Sequence, residues 1–393
     1  MSKIFKVSEI AVLNKETYKK NKLPSNLKYL DTGSLTKNKI SEYQSLNINI
    51  DKIPSRAQRK VALNTILYST VRPNQEHFGI VENLIDGLIV STGFTTIDII
   101  DDKINSKYLY YKLTQKYITE YLHTIGMNSV SAYPSISPND IGGLKFEFPN
   151  LQTQKAIAKV LSDLDTKIEV NNKINQELEA MAKTIYDYWF VQFDFPNEQG
   201  KPYKTSGGKM VYNEELKREI PEGWEVKELG DISEIKRGKL VTAKTADLEG
   251  EIKVVSAGID YSYFHSESNR LENTITISGS GANAGFVNFW REPIFANDCS
   301  TVRGKTDSET LIILEFLRMR QNYIFKQARG SAQPHVYPKD ISVLKITIPN
   351  NDLFNDFGKL ILPSNKKTAN NLKQNQKLSQ LQDWLLPMLM NEI

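Results

Sequence analysis

Two stretches decide how this chain is organised: residues 131–150, "SAYPSISPNDIGGLKFEFPN", and residues 331–350, "SAQPHVYPKDISVLKITIPN". Ser131/Ser331, Ala132/Ala332, Pro134/Pro334, Pro138/Pro338, Asp140/Asp340, Ile141/Ile341, Leu144/Leu344, Lys145/Lys345, Pro149/Pro349 and Asn150/Asn350 are identical at a spacing of 200 residues. Over residues 131–185 the ungapped comparison at that offset gives 17 identities in 55 positions, where chance gives roughly 3 at about 6% per position. The later matches include Asn171/Asn371, Lys173/Lys373, Asn175/Asn375, Gln176/Gln376 and Leu178/Leu378. The chain contains an internal duplication.

Upstream the echo is fainter and its offset drifts. "NTILYST" (64–70) resembles "NTITISG" (273–279), and "IVSTGFTTI" (89–97) sits where the second copy has "FANDCSTV" (295–302). "VSEIAVLN" near the start fills the place of "VKELGDISEIKRGK" after Trp224. Each unit therefore reads as a divergent α/β domain followed by a similar connector.

The first connector is the clearest single element. Leu161, Leu164, Ile168, Leu178, Met181, Ala182 and Ile185 recur at three- and four-residue steps, the period of an amphipathic helix. Asn171 and Asn175 interrupt this seam, as register-fixing polar residues do in paired helices. Forty helical residues reach about 60 Å, longer than a compact domain needs, so the pattern predicts a helix packed on a similar partner. That partner is the second connector, with Leu372, Leu378, Leu381 and Leu385 on its seam. Pro363 is expected to break or kink it, with Ser364 capping the new start.

The predicted fold is α+β: two similar α/β domains joined by two long antiparallel helices with pseudo-two-fold symmetry, one domain at each end of the helical rod. The predicted boundaries are a first domain over 1–150, a helix over 151–192, a linker over 193–222, a second domain over 223–350 and a second helix over 351–393, broken near Pro363.

Length, at 393 residues, already calls for two or more domains. No run approaches 18 apolar residues, and "MSKIFKVSEIAVLN" lacks the apolar core of a signal peptide. A lone cysteine, Cys299, excludes an internal disulfide and fits a cytoplasmic location. Net charge is only +4, but residues 1–150 hold 19 Lys/Arg against 14 Asp/Glu, and residues 301–350 hold 8 against 4. Basic patches inside the repeated units suit a phosphate-bearing partner, and a solvated basic face fits the same counts.

A search for catalytic chemistry finds little. "GSGANAG" (279–285) has the glycines of a phosphate loop, but the strand-like "FVNFWREPIF" follows it, so no helix N-terminus awaits a phosphate. No Walker loop or Asn-Pro-Pro-aromatic motif exists, and His77, His123, His265 and His335 are scattered. Acid-x-Lys triplets at Glu225/Lys227, Glu234/Lys236 and Glu251/Lys253 are what a chain with 24% charged residues produces by chance.

The segment 153–232, "TQKAIAKVLSDLDTKIEVNNKINQELEAMAKTIYDYWFVQFDFPNEQGKPYKTSGGKMVYNEELKREIPEGWEVKELGDI", resembles the central region of type I restriction-modification specificity subunits. "STVRPN" (69–74), "STGF" (91–94), "LQDWLLPMLMNEI" (381–393) and the duplicated block resemble the same family, so the likeness covers essentially the whole chain. The resemblance implies two target-recognition domains, each reading half of a split DNA site, with the conserved helices as spacer. It also implies double-stranded DNA, two methyltransferase subunits and restriction/translocase subunits as partners. Catalysis, and with it S-adenosylmethionine, ATP and magnesium, is then expected on those partners in a phage-defence system.

Candidate DNA-contacting residues are Arg72, Arg237 and Arg303 in turn-like stretches, Arg329, Gln333 and His335 in the second repeated loop, and Ser129, Ser131 and Tyr133 in the first. Leu161, Leu164, Ile168, Leu178, Met181, Ile185, Leu372, Leu378, Leu381 and Leu385 are assigned to helix packing. The alternatives are a specificity subunit of another bipartite modification system, a self-contained nuclease or methyltransferase, and a coiled-coil scaffold without base readout.

Overall fold

The computed structural model describes residues 3–19, 23–129, 133–328, 334–349 and 352–391. It separates into two compact units, residues 1–169 with 376–393, and residues 170–375. Both boundaries fall inside long helices, Leu151–Tyr186 and Leu353–Asn391. Among the described residues no helix is long and apolar enough to cross a membrane.

In the first unit a four-stranded sheet has Phe94–Ile99 at its centre, flanked by Ala11–Leu13 and Ile66–Ser69, with Phe78–Ile80 beyond. A second four-stranded sheet has Leu88–Ser91 parallel to Asn26–Leu30. In the second unit Cys299–Gly304 lies between Ser233–Arg237 and Thr274–Ser278, with Val287–Trp290 beyond, and Ile294–Ala296 runs parallel to Ile252–Val255. The order is the same. Ile66 faces Ile80 and Ile97, and Ile97 faces Leu13; Ile275 faces Phe289 and Val302, and Val302 faces Ile235. The faint upstream echo is therefore a strand-for-strand equivalence.

The duplicated block closes each domain. In the first copy Ser137 caps a short helix, Pro138–Gly142; its Oγ accepts from the Asp140 amide, and Asp140 Oδ2 accepts from the Ser137 amide. Asp340 Oδ2 accepts from the Tyr337 amide at the start of Pro338–Ser342. The Val7 amide then donates to the Leu144 carbonyl, and Leu229 to Leu344. Lys145–Phe148 pairs antiparallel with Lys3–Lys6, and Lys345–Ile348 with Glu225–Glu228. The last strand of each domain thus returns to its first strand, and the long helix follows at once. Asn150 caps the first one, its Oδ1 accepting from the Thr153 amide at 2.9 Å.

Within the second unit the two helices pair antiparallel. Asn171 Nδ2 donates to Asn375 Oδ1 and Gln374 Oε1, Asn371 Nδ2 to Asn175 Oδ1, and Asn375 Nδ2 to Asn172 Oδ1, each at 2.8 Å. Adding 200 to Asn171 and Asn175 gives Asn371 and Asn375, so the two cross-helix pairs exchange under a local two-fold relation. The centre of the pairing is made of amides rather than leucines. Asn171 and Asn371 are buried, so these hydrogen bonds stand in for water.

Several expectations are corrected here. The second helix does not break at Pro363; it runs from Leu353 to Asn391 through both Pro363 and Pro387. Its buried stripe, Leu353, Phe357, Ile361, Asn365, Thr368 and Asn371, passes Pro363 on the other face, and Pro363 itself is exposed. The carbonyl that loses its partner belongs to exposed Lys359, where water can replace it. Met181, Leu372 and Leu381 are exposed and lie outside the seam; Leu161 and Ile168 are buried, while Leu164, Leu178, Ile185, Leu378 and Leu385 are half-buried. The linker also holds a hairpin, Met210–Asn213 with Arg218–Pro221. A π-helical turn, Asp187–Val191, brings adjacent Trp189 and Phe190 both inward, against Phe357.

Each unit ties its domain to its helices at equivalent positions. In the first, Asp165 accepts from Tyr111 Oη at 2.6 Å and from Gln382 Nε2 at 2.9 Å. In the second, Asn365 Oδ1 accepts from Arg291 Nε at 2.7 Å, and Arg291 Nη2 meets Glu179 at 2.7 Å. Burial pushes the Glu315 carboxyl up, with nearby Arg318 opposing it, and burial lowers Arg291.

N371A removes the donor to Asn175 inside a buried amide pair, and should cost about 1–3 kcal/mol in thermal or denaturant unfolding. Burial raises the Asp165 carboxyl above its usual range, with the Tyr111 and Gln382 hydrogen bonds opposing it. Stability therefore falls as pH rises from the ordinary carboxylate value through the folded one. D165N places there the residue found at 365; its melting temperature should lack that fall and match or exceed wild type at neutral pH.

Candidate nucleic-acid interface

The repeated loops and the exits of the central strands meet in both domains. The Ile136 amide donates to the Thr70 carbonyl and the Arg72 amide to the Pro134 carbonyl, at 2.9 and 2.8 Å. In the second copy Val336 donates to Gly279 and Gly281 to Pro334, at 3.1 and 3.0 Å. Thr70, Val71 and Arg72 thus correspond to Gly279, Ser280 and Gly281, and Ser135 to His335. The backbone is shared and the side chains are not.

In the first domain the Arg72 guanidinium lies over the Tyr133 ring, 4.6 Å from its centre. Ser129 Oγ donates to the Tyr133 carbonyl at 3.5 Å and accepts from Ser135 Oγ at 3.3 Å. Ser129 is therefore a brace for the loop that carries Tyr133. Ser131 lies outside the described residues, as do Arg329 and Gln333.

In the second domain His335 stacks on Tyr337, with ring centres 5.9 Å apart. The Arg237 guanidinium lies 5.8 Å from the Tyr337 ring centre and 3.5 Å from Asp298 Oδ1, and Asp298 Oδ2 accepts from Ser280 Oγ at 2.5 Å. Arg237, His335 and Tyr337 thus form one exposed polar-aromatic cluster, with an arginine that is 55% exposed. Arg303 is elsewhere, at the end of its strand, where it pairs with Asp307 at 3.2 Å in the first turn of a helix. Sequence reasoning missed Tyr337, Asp298 and Ser280. The aromatic directly before Pro338 in "HVYPKD" was the available signal for Tyr337; Asp298 and Ser280 converge only through sheet pairing.

Two other sequence features resolve into packing. "GSGANAG" makes a three-residue 3-10 turn, Gly281–Asn283, between antiparallel strands, as the strand-like continuation implied. Cys299 is buried among Val255, Trp290, Ile294 and Ala296, and burial pushes its thiol up to about 12. Among the described residues no group of three or more His, Cys, Asp or Glu is placed to hold a metal ion.

Residues 2–180 and 221–374 match the family described as type I restriction modification DNA specificity domain. The chain belongs to that family. It is 30% identical to the type I restriction enzyme MjaIX specificity subunit of Methanocaldococcus jannaschii, over 87% of this chain and 80% of that protein. It is 23% identical to the type I restriction enzyme HindI specificity subunit of Haemophilus influenzae, over 93% of this chain and 94% of that protein. The crystal structure of a type I restriction-modification S subunit from M. genitalium shares the fold, with a TM-score of 0.62 at 17% identity over 100% of this chain and 97% of that one. The family match spans both copies of the duplicated block, so both polar-aromatic clusters fall within it.

The two arginines of the second domain should separate cleanly. R303A removes a partly exposed ion pair and should cost about 0.2–1 kcal/mol in thermal unfolding while duplex DNA binding changes less than about twofold. R237A also removes a partly exposed ion pair and should lower the melting temperature no more than R303A does, yet weaken duplex binding about tenfold, read by fluorescence anisotropy.

Proposed function

We propose that this chain is the DNA-specificity subunit of a type I restriction-modification complex, each domain reading one half of a split target and the paired helices setting the gap. The observation that carries this reading is the duplication itself: a repeated mounting whose exposed polar-aromatic clusters differ between copies. One short half-site discriminates weakly, because each mismatched base pair costs about 1–3 kcal/mol against a genome of competitors. Two unlike readers supply the discrimination that one lacks, and make the target asymmetric.

On this reading the chain is not catalytic by itself. Two methyltransferase subunits dock on the helices, S-adenosylmethionine is bound by them, and restriction/translocase subunits bring ATP and magnesium. Exposed apolar residues of the helices, Val160, Leu381 and Trp384 in the first unit and Met181 and Leu360 in the second, offer those subunits apolar contacts within each unit.

The test is the methylation pattern of a host expressing the chain with its partners. A split adenine-methylated motif is expected; methylation of a continuous palindrome, or cleavage of DNA by the purified chain alone, would overturn the reading. Seven-residue helical insertions at facing points of both helices, after Lys167 and before Ser379, add about 10 Å. The gap should then lengthen by about three base pairs with both half-sites unchanged.

A further inference from the structure

The first domain keeps an arginine at a position where its duplicate has glycine. Arg72 and Gly281 occupy the same place in the shared frame, each donating its amide to the proline carbonyl of the repeated loop. Both backbones are left-handed: φ is +48° at Arg72 and +75° at Gly281. Glycine adopts that region without penalty, whereas a residue with a Cβ is strained there. Arg72 also precedes Pro73, a position where extended backbone is the ordinary choice. Nor does space dictate the difference, since a Cβ at Gly281 would meet nothing within 4 Å.

What the strain secures must lie in the side chain. The guanidinium is laid over Tyr133, itself 56% exposed, and the described ion pairs of this domain occupy Lys37, Lys60, Lys107 and Lys116 but not Arg72. Placement over the ring restrains the guanidinium of half-buried Arg72, and the guanidinium keeps its N–H donors in one fixed fork. A planar, pre-oriented pair of donors matches the O6 and N7 acceptors of guanine in the major groove. A phosphate contact needs charge but not a fixed plane.

We propose that Arg72, held over the Tyr133 ring, reads a guanine in the half-site of the first domain. The second domain has only Gly281 at this place and brings Arg237 from a different strand, so the two half-sites are read with different geometry. This inference rests on the chain's being a DNA-specificity subunit.

The test uses the full chain assembled with its methyltransferase subunits, and two duplexes: one carrying the split motif obtained by methylation mapping, one a scrambled duplex of the same length. R72G should melt at the wild-type temperature or above, because glycine relieves the backbone. It should lose roughly 10- to 100-fold on the motif duplex and less than about twofold on the scrambled one. Methylation mapping of the R72G complex should show relaxation at a single G·C pair in one half-site. A uniform loss on both duplexes, with the salt slope reduced by about one, would mean a phosphate contact and overturn the proposal. So would an unchanged motif, or a marked fall in melting temperature showing that the Arg72–Tyr133 pair only holds the loop. Absence of any split motif for the wild-type complex would overturn the specificity-subunit reading and this inference together; a normal wild-type motif left intact by R72G would overturn this inference alone.

Discussion

The pairing of Asn171 and Asn175 with Asn375 and Asn371 is the constraint on which the helix pair depends. These amides sit where an ordinary coiled coil would place leucines, and Asn171 and Asn371 are almost fully buried. A leucine seam tolerates sliding, because one apolar contact replaces another. A buried amide does not, since each broken hydrogen bond leaves a desolvated donor or acceptor at about 1–3 kcal/mol. Slipping by a single turn breaks several such bonds together. The cost of this arrangement is visible: the Asn175 Nδ2 is buried without a partner. Specificity of register is obtained at some expense of stability, the trade that polar residues in paired helices make elsewhere.

The same economy governs the domains. In each, the last strand closes on the first and the long helix departs within a few residues, at Leu151 and at Leu353. The shared prolines and aspartates start the short helix just before that strand, so the closure is built the same way twice. Between the fixed points the two copies differ. Equivalent positions are 222 residues apart at Lys3/Glu225, 209 at Ile66/Ile275 and 200 at Lys145/Lys345, so the second copy is progressively shorter. The length changes fall in the loops, where insertion costs little. A frame conserved for packing can therefore carry loops that diverge freely.

The repeated block, the amphipathic connectors and the family likeness were legible in the amino-acid order, because local pattern is enough to specify them. Pro138 and Asp140 set a helix start wherever they occur together, and three- and four-residue apolar steps mark a helix face. Their reach ended at context. Pro363 reads as a helix breaker, yet the buried stripe from Phe357 to Asn371 overrides one missing hydrogen bond on the exposed side. Met181, Leu372 and Leu381 fit the periodicity but not the seam, because amides and an alternate face took the central contacts.

Of the interface, the arginines could be nominated and not ranked. Arg72, Arg237 and Arg303 look alike in sequence, each in a short polar turn. Only the fold lays Arg72 on Tyr133, sets Arg237 beside Tyr337 and Asp298, and turns Arg303 onto Asp307. By itself the sequence determined that there are two copies of one domain and two helices to mount them, since duplication and periodicity are written in residue order. The tertiary structure alone decided the register of the helices and the surroundings of Arg72 and Arg237, because both depend on partners brought together from about 60 to 200 residues away along the chain.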